Sequence, residues 1–193
     1  MSGYRRTLEF IKRSKKILIV SHRGADVDGV VSSALMKHLI SNINPKADVR
    51  ILFPKGISNK AEKILDYLDL EFLEKINEEE YDLAIFLDVG GPSVLDSSEK
   101  LLKIKIPRIL IDHHLQSRSF LDRFEVFHVD ESSSSTCEMV YELLKEAEVS
   151  LNDKLLHALV AGIFVETKFF LNAKCKTFSI LEKPVSYTHL RAH

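Results

Sequence analysis

Residues 16–29 read KILIVSHRGADVDG, and the fold class follows from them. The run from Lys16 to Ser21 is apolar without alternation, the pattern of a strand covered on both faces. Gly24 and Gly29 permit tight backbone in the loop that follows. From Val27 to Ile40 the apolar residues Val27, Val31, Ala34, Leu35 and Leu39 recur on one side, so the chain passes from strand into helix. The same alternation continues outward. Asp48–Phe53, Asp82–Leu87, Arg108–Ile111 and the shorter Phe124–Val129 read as further strands. Thr7–Ser14, Asn59–Leu68, Ser97–Lys103, Ser135–Glu148 and Leu151–Val165 read as helices. Asn59 is placed to cap its helix with Glu62 three residues on, and Ser135 with Glu138 makes a second capping box. The Leu151–Val165 helix is apolar on most sides and is expected to be buried. Alternating strands and helices specify an α/β fold, a mainly parallel sheet with helices on both faces.

The chain has 193 residues, 45% apolar and 28% charged, enough for one α/β domain or one domain and part of another. Its formal charge of −1 argues against a basic chain built to grip long nucleic acid. The longest apolar stretch, Leu155 to Val165, is 11 residues, whereas a membrane span needs about 20. Six Lys/Arg lie in the first sixteen residues, but the apolar run after them is too short for a signal peptide. Cys137 and Cys175 lack CxxC spacing, which excludes a disulfide framework or zinc ribbon and fits a reducing cytoplasm. The acidic run Glu78-Glu79-Glu80 reads as a solvated loop face. Residues 184–193 show no periodicity and read as a tail, disordered or foreign to the native gene, so residues 1–183 are taken as the domain.

Ligands of parallel α/β sheets bind beyond the carboxyl ends of the strands. The first strand is followed by His22, Asp26 and Asp28, the third by Asp88, the fourth by Asp112-His113-His114, and the fifth, more weakly, by Asp130. An aspartate directly after a buried apolar run is costly unless something pairs with it. Carboxylates and imidazoles without thiolate suit hard or borderline divalent cations, and this many carboxylates suit more than one. Two such ions about 3.5–4 Å apart can clamp a phosphoryl group and activate water. Ser132–Ser135 could seat a phosphate, although a turn and N-cap explains these serines more simply. His38, His128 and His157 have no carboxylates patterned around them and read as structural or surface residues.

The motifs SHRGADVDG at 21–29, Asp88 after its strand and DHH at 112–114 resemble motifs I to III of the DHH phosphoesterases. The likeness runs from about residue 15 to 180 and includes SSTCE at 134–138 and GIFVET at 162–167. It implies a Rossmann-like DHH domain and a hydrolase acting on a small phosphate ester or short oligonucleotide. The compact arrangement is most similar to the family's nanoRNase and 3′-phosphoadenosine 5′-phosphate phosphatase branch. The resemblance further implies two divalent ions, Mn²⁺ first, with Mg²⁺ or Co²⁺ as substitutes. His22 and Asp26 would hold one, Asp28 and His113 the other, and Asp88 would bridge them. Glu166 would occupy the place of the remaining carboxylate ligand. His114 would face the substrate phosphate, with Asp112 orienting the histidines, and hydroxide between the ions would attack phosphorus.

Two departures accompany the resemblance. Glu166 stands where the family has aspartate, and nothing in the chain matches the family's C-terminal substrate-gripping domain. A rival reading is therefore a non-catalytic metal- or nucleotide-binding module. A Rossmann-like nucleotide-binding domain without metals is weakened by the missing GxGxxG. No membrane partner is expected, and a homodimer is left open.

Overall fold

The computed structural model describes residues 3–76, 80–103 and 105–190. In chain order it contains α1 (Tyr4–Arg13), β1 (Lys16–Val20), α2 (Val27–Ile43), β2 (Asp48–Leu52), α3 (Glu62–Leu68) and β3 (Leu83–Leu87). Then come 3-10 turns at Pro92–Val94 and Asp96–Lys103, β4 (Arg108–Asp112), α4 (Arg118–Leu121), β5 (Val126–Val129), α5 (Thr136–Glu146), α6 (Asp153–Glu166) and α7 (Cys175–Leu190). All five strands are parallel, in the order β2-β1-β3-β4-β5.

The strands were legible because both faces of the sheet are dry. Ile17, Ile19, Ile85, Leu87, Ile109 and Ile111 meet residues of α1, α2, α5, α6 and α7 in the larger core. Leu18, Val20, Ala84, Phe86 and Leu110 meet Leu95, Leu101, Leu102, Phe120 and Phe124 on the other face. The two layers are unequal. One is built from long helices, the other from 3-10 turn and the short α4.

The register brings the carboxyl ends level. Val20 lies opposite Leu52 and Phe86, and Leu87 opposite Ile111. The chain leaves β1 toward β2 on one side, and β3 returns on the other. The gap between the ends of β1 and β3 is thus the switch point of the sheet, where ligands of such folds bind.

Several local expectations are corrected. Asn59 does not cap α3, which starts at Glu62 after Ala61 with no side-chain cap. The segment before it is already committed elsewhere: Ser58 N–H donates to Ala25 O at 2.8 Å and Ala61 N–H to Ser58 O at 2.8 Å. Ser97–Lys103 falls in 3-10 turn rather than α-helix. Ser135 does cap α5, accepting from Glu138 N–H at 3.2 Å. The Glu138 carboxylate, however, takes the N–H of Ser134, one residue before the cap, at 3.0 Å. α6 is not buried all round, since Val165 is 40% exposed. Gly24 has the positive φ expected of it, +60°. Gly29 serves close packing instead: a Cβ there would stand 2.6 Å from Ser21 Oγ.

The backbone of residues 184–190 is helical, continuing α7. Residues 191–193, and 77–79 with most of the acidic run, lie outside the described residues. Cys137 and Cys175 are both free thiols. Among the described residues no helix is long and apolar enough to cross a membrane.

Candidate metal centre

The loop after β1 is pinned from two sides. Arg23 N–H donates to Val94 O at 2.8 Å, Gly24 N–H to Pro54 O at 2.9 Å and Ala25 N–H to Gly56 O at 3.1 Å. Asp26 caps α2, accepting from the N–H groups of Asp28 and Gly29 at 3.0 and 3.2 Å. The His22 ring places Nδ1 on the carbonyl of Arg23 at 3.0 Å, which leaves Nε2 as its lone-pair atom. That Nε2 lies 3.7 Å from Asp26 Oδ1 and 3.7 Å from Asp88 Oδ2.

Asp88 follows β3 with φ +57°, a left-handed conformation that a side chain makes unfavourable by about 1–2 kcal/mol. It is 4% exposed. Its second oxygen, Oδ1, accepts the Thr136 hydroxyl at 3.2 Å and faces His113 Nε2 at 3.7 Å. Asp28, in the first turn of α2, accepts the N–H groups of Thr136 and Cys137 at 2.7 and 2.8 Å. It therefore sits at the positive N-terminal end of α5. Asp28 Oδ2 and Glu166 Oε1 each stand 3.9 Å from His113 Nε2. That nitrogen is buried and has no hydrogen-bond partner among the described residues.

These residues fit divalent cations. Gaps of 3.7–3.9 Å are too long for hydrogen bonds. Donor atoms around a cation at about 2.0–2.5 Å stand roughly 3–4 Å apart, which matches. His22, Asp26 and Asp88 offer one such group. Asp88, His113 and His114 make the second mutually close group, and Asp28 and Glu166 each approach its His113 Nε2 to 3.9 Å. Asp88 presents one oxygen to each.

The electrostatics ask for positive charge. Burial, then the neighbouring Asp26, pushes Asp88 up to about 7. Burial, then Asp88, raises Asp28 well above the usual carboxylate range. Burial, then Asp26, raises Glu166. Burial, then His114, drives His113 down to about 4, keeping its ring neutral as a ligand must be. For His22 burial opposes the charge, but the nearby carboxylates of Asp26 and Asp88 outweigh it, and its pKa is raised.

His114 is a different kind of residue. Its Nδ1 is 2.7 Å from Asp112 Oδ1, and its own N–H donates to the same oxygen at 3.2 Å. The bond to Asp112 lifts His114 to about 9. Nδ1 also lies 3.7 Å from Asp88 Oδ1, but it is already engaged by Asp112 and is no free ligand. His22, Asp26, Asp88, Gly90, Val94, His114 and Glu166 line a cavity of about 210 Å³. A larger depression of about 470 Å³, lined by Lys37, Arg50, Glu71 and Phe72 among others, runs along β2 away from these carboxylates.

The structure thus brings all eight sequence-derived site residues to one place. Asp130 is excluded: it is taken by Ser132, Ser133 and Lys176. The serines at 132–135 serve the turn and the cap, and the α5 amides that could bind phosphate hold Asp28 instead. His38 bonds Ser150 O, His128 bonds Thr7 and His157 bonds Tyr67. Two residues at the centre were missed. In the sequence Thr136 carries no signal beyond a helix start. Gln116 carries no pattern at all, yet its side chain touches both Asp112 and the segment after Asp88.

The chain is 30% identical over 178 residues to the uncharacterized protein MJ0988 of Methanocaldococcus jannaschii, covering 90% of this chain and 52% of that one. It is 26% identical over 186 residues to the cyclic-di-AMP phosphodiesterase PdeA of Listeria monocytogenes, covering 88% of this chain and 28% of that protein. The chain therefore spans about half of the first relative and just over a quarter of the second. In fold it resembles an exopolyphosphatase-related protein from Bacteroides fragilis, with TM-score 0.73, 20% identity and coverage of 97% and 57%. It also resembles the exonuclease RecJ, solved bound to manganese, with TM-score 0.58, 14% identity and coverage of 96% and 48%. The model of the DHH family, N-terminal domain, matches residues 16–163, which include the loop after β1, Asp88 and the Asp112-His113-His114 run, and the chain belongs to that family.

Proposed function

We propose that this chain is the metal-binding domain of a phosphoesterase that hydrolyses a small phosphate ester or short oligonucleotide with water. The observation that carries the reading is the pair of donor groups sharing Asp88, with His113 Nε2 buried and unpartnered between three carboxylates. His22, Asp26 and Asp88 would hold one cation, and Asp28, Asp88, His113 and Glu166 the other. Mn²⁺ is the first choice for a mixed carboxylate and imidazole set, with Mg²⁺ or Co²⁺ as substitutes. A cation pair would supply Lewis-acid polarisation of a phosphoryl oxygen and a water acidic enough to ionise near neutral pH.

The remaining chemistry belongs to the chain. The cavity above Asp88 is lined by His114, whose charge at neutral pH is sustained by Asp112. That imidazolium can bind a phosphate oxygen and donate a proton to the departing alkoxide. Glu166 is one methylene longer than the family's aspartate, yet Oε1 reaches His113 Nε2 at the same 3.9 Å as Asp28. This supports a ligand role and weighs against a site disabled at that position. Residues 1–183 form the DHH domain on this reading.

The test combines Mn²⁺ titration calorimetry with hydrolysis of 3′-phosphoadenosine 5′-phosphate and a 5′-phosphorylated dinucleotide. Two Mn²⁺ per chain, with one or both lost in Asp88→Asn, and metal-dependent phosphate or mononucleotide release are expected. A parent chain that binds no Mn²⁺ refutes the proposal.

A further inference from the structure

Gln116 joins the two strand ends that carry Asp88 and the Asp112-His113-His114 run. Its Nε2 donates to Asp112 Oδ2 at 2.5 Å and to Val89 O at 2.9 Å. A carboxylate and a carbonyl are both acceptors, so the side chain must present its NH₂ here, with one hydrogen for each. Asp112 is fully buried. Its other oxygen is occupied by the N–H and Nδ1 of His114. Gln116 is thus the donor that keeps the Asp112 carboxylate from turning, and Asp112 in turn sets the plane of the His114 ring.

The second bond acts on β3. Val89 follows Asp88, whose φ of +57° must be held by its surroundings. Tying the Val89 carbonyl to the same amide fixes the spacing between the segment bearing Asp88 and the segment bearing His114.

We infer that Gln116 is a positioning residue: it clamps Asp112 to the Val89 carbonyl and so aims His114 Nε2 at the cavity above Asp88. The inference rests on the proposed role of His114 toward the substrate phosphate. The experiment keeps the two apart. Gln116→Met preserves length and volume while removing both donors, and Gln116→Glu sets a carboxylate against two acceptors. Misplacement of a reacting group by about 1 Å costs on the order of a hundredfold. Gln116→Met is therefore expected to lower kcat about ten- to a hundredfold, with KM and both Mn²⁺ affinities within about threefold of the parent. Gln116→Glu should lose at least as much.

The second readout is the downfield Nδ1–H proton resonance of His114, assigned by its loss in His114→Gln. Shortness of the bond to Asp112 keeps it visible in the parent, and in Gln116→Met it should shift upfield or vanish through exchange. This signal judges the clamp even if the parent hydrolyses nothing. An unchanged His114 resonance in a folded Gln116→Met protein overturns the inference, as does an unchanged kcat in an active one.

Discussion

In the cation-free protein, Asp88→Asn should raise stability at alkaline pH. Asp88 is 4% exposed, and burial followed by repulsion from Asp26 pushes it from 3.8 up to about 7. A carboxylate whose pKa is raised by folding stabilises the native state most below its unfolded pKa. That contribution is lost as pH rises through the folded value, here between about 4 and 7. A difference of about 3 between the two states, at about 1.4 kcal/mol each, gives roughly 4 kcal/mol. For a chain of this size that corresponds to about 8–16 °C in Tm. The assay is thermal unfolding followed by circular dichroism in EDTA at pH 5 and pH 8. The variant should already be ahead by roughly 1–2 kcal/mol at pH 5, a little over one pH unit into the window, and by the full amount at pH 8. Asp28 and Glu166 are also raised, so both proteins lose some stability over this range, and the difference between them reports Asp88 together with its repulsion of Asp28. Saturating Mn²⁺ should reverse the order at pH 8, because the parent gains about 2.7 kcal/mol per site at a hundredfold excess over Kd. Parallel pH profiles in EDTA would refute the reasoning, for they would mean that the Asp88 charge is already compensated within the protein.

The two donor groups should be separable by mutation. His22→Gln is expected to weaken one Mn²⁺ site more than tenfold, and His113→Gln or Glu166→Gln the other, as read by calorimetry; loss of both sites from each variant would contradict the division. Gly29→Ala should destabilise by about 1–3 kcal/mol, because its Cβ would lie 2.6 Å from Ser21 Oγ. Adding Ser21→Ala should recover most of that loss in denaturant titrations, and no recovery would point to backbone strain instead. Burial holds His128 down to about 4, with Thr7 on its Nε2. A base depressed by folding stabilises above its unfolded pKa, so its contribution should fall from about pH 6.5 toward pH 4. Acid unfolding of His128→Gln should show a shallower slope across that window.

Much of the fold was legible because the strands advertise themselves. ILIV, LAIFL and ILI, within β1, β3 and β4, are unbroken apolar runs, and the sheet buries both of their faces. The site was legible for the same reason: charged residues placed directly after such runs have to surface together at one edge. What stayed hidden depends on contacts between distant segments. Asp28 meets the amides of Thr136 and Cys137 across 108 and 109 positions, and no local pattern announces that. Asn59 looked like a cap until the loop after β2 proved to be bound to the loop after β1. Gln116 is silent because a single amide in a loop is ordinary until its two acceptors are known.

The buttressing of the carboxylates explains why so many acids are tolerated in one place. Asp26 is held by two amides of α2, Asp28 by two amides of α5, Asp88 by the Thr136 hydroxyl and Asp112 by Gln116. These donors fix the orientation of each carboxylate, and on Asp26 both fall on Oδ1 and leave Oδ2 open. Hydrogen bonds to the charged form also offset part of the cost of burial. The offset is incomplete, since Asp28 and Asp88 remain raised. The uncompensated part is what a cation can relieve, so cation affinity and native stability are two expressions of the same electrostatic deficit. Glu166 differs from the rest. It ends α6, is 29% exposed at its side chain, and has no hydrogen-bond donor on its carboxylate among the described residues. Of the acids facing His113 it is the one free to shift, which is where an extra methylene is most easily accommodated.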